Sequence, residues 1–441
     1  MIEGEKLKYV IEALTSKEKY KEAYAVLDFF EEQVDSLEDY DTLGAIAMDA
    51  KYLDLRLKCA LYTYTHCLTG EQLFAARENL YKCYNALNYP EMALQYVEAN
   101  IKLKPNDTDS LLNKAFNLSL MNKKDEAEIL IDYVLENDKE GIEDLDFTQS
   151  VKWLKQGDIK RGVLGFMGAK KKPKNTLFEG VLKFWDGGVY PGKTIVVNAE
   201  GGVGDEFINL RFLNNLKALG MHPIIYSSWH VHRPDTVNLY RRHGYEVTTN
   251  HFFFTKDMLW THMMCLPSYL GLKESQLWTG PYLTPLRQEK NNLGDKKKLR
   301  IGIKCDGNPY FEQDIYRTIP TEKMIEYLPN DADIFYFDKE KIQFGTTSLK
   351  ERLNSWEDTI DFIDQMDVIV SSCTSIVHAA GAMGKKTIVI VPIAKYYIWE
   401  TTRTDNTTPW YGKNFTVLAQ TKVRSWDEPL SLVKDYLKNV Q

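Results

Sequence analysis

Through roughly its first 155 residues the chain contains almost no Gly or Pro, and this shortage of breakers constrains the fold more than any other feature. Few residues there supply left-handed turns or remove backbone donors, so the stretch reads as helix after helix. Three segments share one pattern: YKEAYAVLDFF from Tyr20, YPEMALQYVEA from Tyr89 and KKDEAEILIDYV from Lys123. Each places an acidic residue, then a small Ala, then apolar residues at helical spacing. Ala93 and Ala127 are 34 residues apart, and Ala23 lies 70 before Ala93, close to two such periods. A repeat of that length is a helical hairpin that buries its apolar face only by stacking on its neighbours. In the best copy, from about Arg77 to Ser110, Leu80 and Tyr84 mark the first helix, Ala93 and Val97 the second, and Pro105 stops it. The copy around Leu57 is degenerate.

Past Gly157 the texture changes. The stretch Lys160 to Lys174, KRGVLGFMGAKKKPK, is basic and Gly-rich and reads as a linker, either a solvated loop or a phosphate-binding arm. From Tyr190 onward, short β-branched runs alternate with helical segments. TIVVNAE, HPIIYSS and YEVTTN predict strands of a first parallel sheet, with a helix from Asp205 to Leu219 between the first two. LRIGIKC, DIFYFD, DVIVSS, KTIVIVP and FTVLAQ predict a second sheet, with helices near Glu322 to Leu328, Trp356 to Gln365 and Ser375 to Met383. Such alternation implies right-handed crossovers and two open, Rossmann-like domains. Ligands of such domains sit at the carboxyl ends of the strands, in the crevice. The expected division of the 441 residues is 1–155 for the helical repeats, 156–189 for the basic linker, 190–297 for the first α/β domain and 298–441 for the second. The fold class is α plus α/β.

With 55 Lys and Arg against 62 Asp and Glu, the formal charge of −7 gives no global attraction to a polyanion. The cysteines Cys59, Cys67, Cys83, Cys265, Cys305 and Cys373 form no C-x-x-C pair and have no His at zinc-ligand spacing, so they read as reduced, buried thiols. No apolar run approaches the ~20 residues of a membrane span. The opening MIEGEKLKYVIEAL has no apolar core of the kind a secretory signal requires. The expectation is a cytoplasmic protein with no membrane contact. Motifs of zinc proteases, α/β-hydrolases and P-loop ATPases are missing. Asp331-Ala332-Asp333 matches a metal–diphosphate D-x-D, but it precedes a strand and should face away from the crevice.

Two turns carry candidate chemistry. Asn198-Ala199-Glu200-Gly201-Gly202-Val203-Gly204-Asp205-Glu206 lies between a predicted strand and a helix, with glycines that admit a ligand to the backbone. Asp205 and Glu206 are either acids capping the first helical turn or groups delivered into the crevice. Val370 to His378, VSSCTSIVH, repeats the strand–turn–helix arrangement with hydroxyls, so Thr374, Ser375 and Ile376 can cradle a diphosphate at a helix N-terminus. His378, in the first turn of that helix, is either a packing residue or part of the anion site. Lys304, Asn308 and Arg317 lie at and after a strand end, where the two cations could neutralise a leaving phosphate or form surface ion pairs. Tyr396, Tyr397, Trp399, Trp410 and Tyr411 invite stacking on a base or sugar, with core packing as the alternative.

The strings GGVGDEFINLRFLNNLKALG, THMMCLPSYLG, IGIKCDGNPYFEQDIYRTIP, SSCTSIVHAAGAMGKK and TPWYGKNF, with the helical period, resemble bacterial and phage tetratricopeptide-containing GT-B glycosyltransferases. These are relatives of the heptosyltransferases, glycosyltransferase family 9, and more distantly of the O-GlcNAc transferases. The resemblance covers about residues 190–440 plus the arm. It implies a tetratricopeptide-like arm before a GT-B body of two Rossmann-like domains, the first on the acceptor side and the second on the donor side. It further implies inverting, metal-independent transfer of a hexosyl or pentosyl group from a nucleotide-sugar to a hydroxyl, with no cofactor. On this resemblance Asp205 is the general base, and Gly202 and Gly204 of its glycine motif bind the donor. His378 and Arg317 hold the donor diphosphate with Lys304, Asn308 and the 374–376 turn. His262 matches the family's His before S-L-P, and Glu206, His262, Trp399 and Trp410 are candidates for the acceptor side of the cleft. Cys373 stands where the family usually has Asp, Cys305 where it has Trp, and Tyr81 where the repeat usually has Gly. The acceptor is a macromolecule engaged by the arm: a protein, a glycan or hydroxymethylated phage DNA. The basic stretch alone favours nucleic acid, and the net charge opposes it. The other class of reading is a non-catalytic scaffold with a degenerate sugar-nucleotide body.

Overall fold

The computed structural model describes residues 4–17, 19–137, 150, 153–166, 178, 180–199, 201–226, 234–308, 311, 314–337, 346–400 and 402–438. It forms two compact units, one of residues 1–140 with 422–424 and the other of 141–421 with 425–441.

In the first unit the described residues form the helices Gly4–Thr15, Tyr20–Glu31, Leu37–Asp49, Leu53–His66, Gly70–Ala86, Pro90–Leu103, Thr108–Leu120 and Lys124–Asn137. The period is written in the turns. Lys51, Asn88 and Asn122 each sit between two helices in the left-handed region, with φ of 60°, 59° and 61°. The next N–H, of Tyr52, Tyr89 or Lys123, donates at 2.8 Å to the carbonyl of Ala47, Tyr84 or Leu118, which closes the helix end by the same left-handed geometry each time. Starts are capped as regularly. Ser36 and Asp107 accept from the N–H groups of Asp39 and Ser110, Thr69 and Gln72 form a reciprocal capping box, and Pro90 opens its helix. Ala23, Ala93 and Ala127 are buried where neighbouring helices approach.

The second unit contains two parallel sheets. The first is built from β1 (Lys183–Phe184), β2 (Thr194–Asn198), β3 (His222–Tyr226), β4 (Glu246–Thr248) and β5 (Leu259–His262), in the order β1-β5-β2-β3-β4. The second is built from β6 (Arg300–Lys304), β7 (Asp333–Tyr336), β8 (Thr347–Ser348), β9 (Val368–Ser372), β10 (Thr387–Val391) and β11 (Phe415–Ala419), in the order β11-β10-β9-β6-β7-β8. Every pairing is parallel. Both faces are covered, so β9 and β10 are buried at every position, with apolar VIV and IVIV runs that meet Ser371 and Ser372 at the carboxyl end of β9 and Thr387 at the start of β10. Side-chain alternation sends Val368 and Val370 toward the C-terminal helix Asp427–Lys438, with its Leu430, Val433 and Leu437, and Ile369 to the opposite core.

Three details depart from the sequence reading. The helix expected over Asp205 to Leu219 is two helices, Val203–Leu210 and Leu213–Ala218. Three short strands are not among those expected: β1 and β5, which pair at one edge of the first sheet, and β8, at one edge of the second. Ile159–Phe166 is helical within the basic stretch, its Ile159 and Val163 buried in the large core; residues 167–174 of that stretch lie outside the described residues.

The segment joining the two halves is tied to the helix Trp356–Asp364. Asp361 accepts from the backbone N–H groups of Arg287 at 2.7 Å and Gln288 at 2.9 Å, and from Asn291 Nδ2 at 3.1 Å. Burial by itself would raise the pKa of this carboxyl, but the donors of Gln288, Asn291 and Arg287 outweigh it and hold it below the ordinary range. Asp361→Asn should therefore cost about 1–3 kcal/mol at pH 7. The sign follows from linkage: the unfolded carboxyl protonates near pH ~3.9 and the folded one lower, so the advantage of Asp is full above that range and lost as pH falls through the folded pKa. Urea unfolding of both proteins at stepped pH checks this, and coincident midpoints at pH 7 contradict it.

Candidate functional site

The carboxyl ends of both sheets carry the groups that matter. On the first, Asn198 ends β2 and His262 ends β5 in register, with Asn198 Nδ2 and His262 Nδ1 3.4 Å apart. The chain then turns through Gly201, at φ +75°, into the extended N-cap Gly202. Asp205 occupies the third helical position and closes the turn, its Oδ2 accepting from Gly202 N–H at 2.8 Å. A Cβ on Gly201 would stand 2.5 Å from that oxygen, so the glycine is needed for the carboxylate to fold back. Asn209 Nδ2 donates to the Asp205 carbonyl at 2.9 Å. Asp205 is half-buried. Glu206 is buried, and Tyr240 donates to its Oε2 at 2.6 Å.

On the second sheet, Lys304 ends β6 beside Ser371 of β9. Its Nζ meets Asp306 Oδ1 at 3.0 Å. Arg317 comes from the short helix that follows. Its Nε donates to Asp314 Oδ1 at 2.7 Å, and Nη1 donates to the Cys373 carbonyl at 2.8 Å. Arg317 thus ties the loop after β6 to the turn after β9. Gly307 leaves it room, since a Cβ there would lie 2.0 Å from Nη2. Asn308 is exposed on that loop. Thr374 is the N-cap of the helix Ser375–Ala382 with extended backbone and no side-chain cap bond, so the first N–H groups of that helix, those of Ser375 and Ile376, are left for another acceptor. Burial raises the Cys373 thiol to about 11, which keeps it protonated and unreactive.

The two helix starts meet at Gly204. A Cβ there would lie 2.8 Å from His378 Cδ2 and 3.3 Å from the Ser375 Cα. Only a residue without a side chain lets the Asp205 helix approach the hydroxyl-rich turn this closely. Tyr396, on the loop after β10, donates its hydroxyl to Asp205 Oδ1 at 2.9 Å, from the opposite half. His378 is buried, stacked on Trp399 at 5.5 Å, and its Nδ1 shares a hydrogen bond with the Tyr411 hydroxyl at 2.9 Å. Burial, followed by the nearby Arg317 and Arg211 cations, pulls its pKa down to about 3. The ring is therefore neutral at physiological pH and can offer a diphosphate one hydrogen bond but no charge. Trp410 is fully buried against Phe212 and Tyr397.

The structure gathers Asp205, Gly202, Gly204, Ser375 and His378 at one place, with Arg317 bound to the adjoining turn. It places Glu206 and Trp410 in the core and Trp399 under His378. Two contributors were not singled out from sequence. Tyr396 was read only as a stacking ring. Arg211 is buried, its Nη1 donating to the Trp410 carbonyl at 2.7 Å inside a cage of Phe212, Trp278, Tyr282, Trp410 and Tyr411. Among the described residues no group of three or more His, Cys, Asp or Glu is placed to hold a metal ion, and no helix is long and apolar enough to cross a membrane.

No protein-family model matches the chain, and no curated protein does. Among solved structures, an O-GlcNAc transferase mutant from Thermobaculum terrenum is similar over 99% of this chain and 92% of its own, at 11% identity and a TM-score of 0.37. TibC, an iron-containing dodecameric heptosyltransferase from enterotoxigenic E. coli solved with ADP-D-β-D-heptose, is similar over 58% of this chain and 77% of its own, at 11% identity and a TM-score of 0.37. YrrB, a tetratricopeptide protein with an unusual peptide-binding site, is similar over 38% of this chain and 87% of its own, at 18% identity and a TM-score of 0.25.

The neutral His378 has a consequence in stability. Below pH ~6.5 the unfolded imidazole takes up a proton that the folded ring refuses until about pH 3. Stability contributed by this group is complete above the unfolded pKa and lost as pH falls, by at most about 1.4 kcal/mol per pH unit. His378→Gln should flatten the pH dependence of the urea midpoint between pH 6 and 4. Parallel curves for the two proteins would contradict the assignment.

Proposed function

We propose that the chain is an inverting glycosyltransferase of GT-B type, moving a hexosyl or pentosyl group from a nucleotide-sugar to a hydroxyl of a macromolecular acceptor without a metal ion. One observation carries this reading: a carboxylate at the carboxyl end of the first sheet and an uncapped helix start at the carboxyl end of the second meet across Gly204. The diphosphate of the donor lies on the N–H groups of Ser375 and Ile376, with Arg317 and Lys304 beside them and His378 as a neutral donor. Both cations now face Asp314 and Asp306, partners that a diphosphate would displace or share.

In the reaction, Asp205 takes the proton of the acceptor hydroxyl as its oxygen bonds to the anomeric carbon. The bond from that carbon to the diphosphate oxygen breaks on the opposite face, and its electron pair leaves with the nucleotide. One displacement inverts the centre. Charge growing on the leaving oxygen meets the helix start and the two cations, which supply the stabilisation a metal would otherwise give. The helical arm engages the acceptor; a protein or a glycan fits the acidic chain better than modified DNA.

A panel of UDP-, GDP- and ADP-linked sugars, read by thermal shift, should contain one that raises the melting temperature. With that donor, Asp205→Asn is expected to keep binding but lower nucleotide release by at least ~100-fold. His378→Ala and Arg317→Ala should each weaken the nucleotide in calorimetry. Binding without release in the wild-type protein would instead favour a non-catalytic scaffold, and unchanged affinity in both variants would move the donor elsewhere.

A further inference from the structure

The hydrogen bond between Tyr396 and Asp205 joins the two halves at the candidate base. Tyr396 belongs to the second half, on the loop that leaves β10, and its ring stands 4.8 Å from that of Tyr397. Tyr397 is fully buried and packs edge-on against Trp410 at 5.7 Å, so Tyr396 rises from a fixed aromatic base. Asp205 belongs to the first half. Its two oxygens are tied by different halves: Oδ2 by Gly202 N–H at 2.8 Å, Oδ1 by the Tyr396 hydroxyl at 2.9 Å.

We propose that Tyr396 is a positioning residue that orients the Asp205 carboxylate for proton transfer only when the donor half stands against the acceptor half. This rests on the reading of Asp205 as the base. A carboxylate held through one oxygen turns about its terminal torsion, which has a broad energy profile. Held through both, it presents its remaining lone pairs in fixed directions, since each oxygen can accept more than one hydrogen bond. The Gly202 bond is made within the first half and survives separation of the halves. The Tyr396 bond does not. Orientation of the base through Oδ1 is therefore coupled to the arrival of the donor half.

The test is a double-mutant cycle on Asp205→Asn and Tyr396→Phe, read by nucleotide release from the donor that the UDP-, GDP- and ADP-sugar panel identifies. Tyr396→Phe should lower kcat about 10-fold, the scale of one hydrogen bond to a charged group, with the donor KM within about twofold. In the Asp205→Asn background it should change kcat by less than about twofold, because Tyr396 acts through the carboxylate. An equal loss in both backgrounds, or a change in donor KM with kcat held, overturns the role of Tyr396 while Asp205 remains the base. Wild-type turnover in Asp205→Asn overturns the base assignment, and this proposal with it. A ligand-free arm uses 3-fluorotyrosine at position 396 in the full chain. Its fluorine resonance should move on Asp205→Asn, and an unmoved resonance means the bond is not made.

Discussion

The second unit depends on one close approach. Gly204 puts the first turn of the helix Val203–Leu210 directly on Ser375 and His378 of the helix Ser375–Ala382. Two helix N-termini bring two positive dipole ends together, an arrangement that is unfavourable unless negative charge lies between or beside them. Asp205 supplies part of that charge from its own first turn, through the bond to Gly202 N–H. The turn at Thr374 supplies none, having no side-chain cap. The unsatisfied positive end therefore faces the cleft on the side of the second sheet, and the carboxylate faces it from the first.

The surrounding charges reinforce this polarity. Arg211 is buried with Nε and Nη2 unpaired and makes no ion pair among the described residues. Its cost is offset by five aromatic rings whose faces or edges lie within about 6 Å and by one carbonyl. A cation kept without a carboxylate projects its field, and with Arg317 it helps hold His378 neutral. A protonated His378 would add a third cation to a region that already has two, Arg211 and Arg317. Neutrality lets the ring be packed on Trp399 and pinned by Tyr411 while still carrying a polar nitrogen.

Much of this plan was legible in the sequence, for physical reasons that can be named. Fully buried parallel strands read as apolar runs, so VIVSS and TIVIV declared themselves, and the paired strand–turn–helix motifs marked the carboxyl ends. The short strand β5 did not, because LWTH is four residues with no alternation and its Thr261 is buried in the middle of the sheet. The break after Leu210 was hidden by good helix formers on both sides. Arg211 and Asp361 carry charges that ordinarily mark a solvated helix face; each is buried by partners 70 or more residues away, and no local pattern encodes that. Tyr396 was visible as an aromatic residue, but its hydroxyl partner lies 191 residues earlier in the chain.

The contacts that join the halves differ in kind, and the difference bears on how they move. Arg242 grips Glu357 through two bonds at 2.9 and 2.7 Å, the Tyr282 N–H donates to the Ala382 carbonyl at 2.8 Å, and Phe207 packs edge-on against Trp356. Bidentate pairing and aromatic packing of this sort resist sliding and separation together. The link at the base includes a hydrogen bond between two half-buried groups, Tyr396 and Asp205. A hydrogen bond to a charged group contributes about 1.5–3 kcal/mol, less when the pair is half-exposed and can exchange with water. A small rocking of one half on the other that leaves the Arg242–Glu357 grip intact therefore breaks the Tyr396–Asp205 bond first. The orientation of the candidate base is thus sensitive to how the halves stand, while the packing at Gly204 fixes where its helix starts.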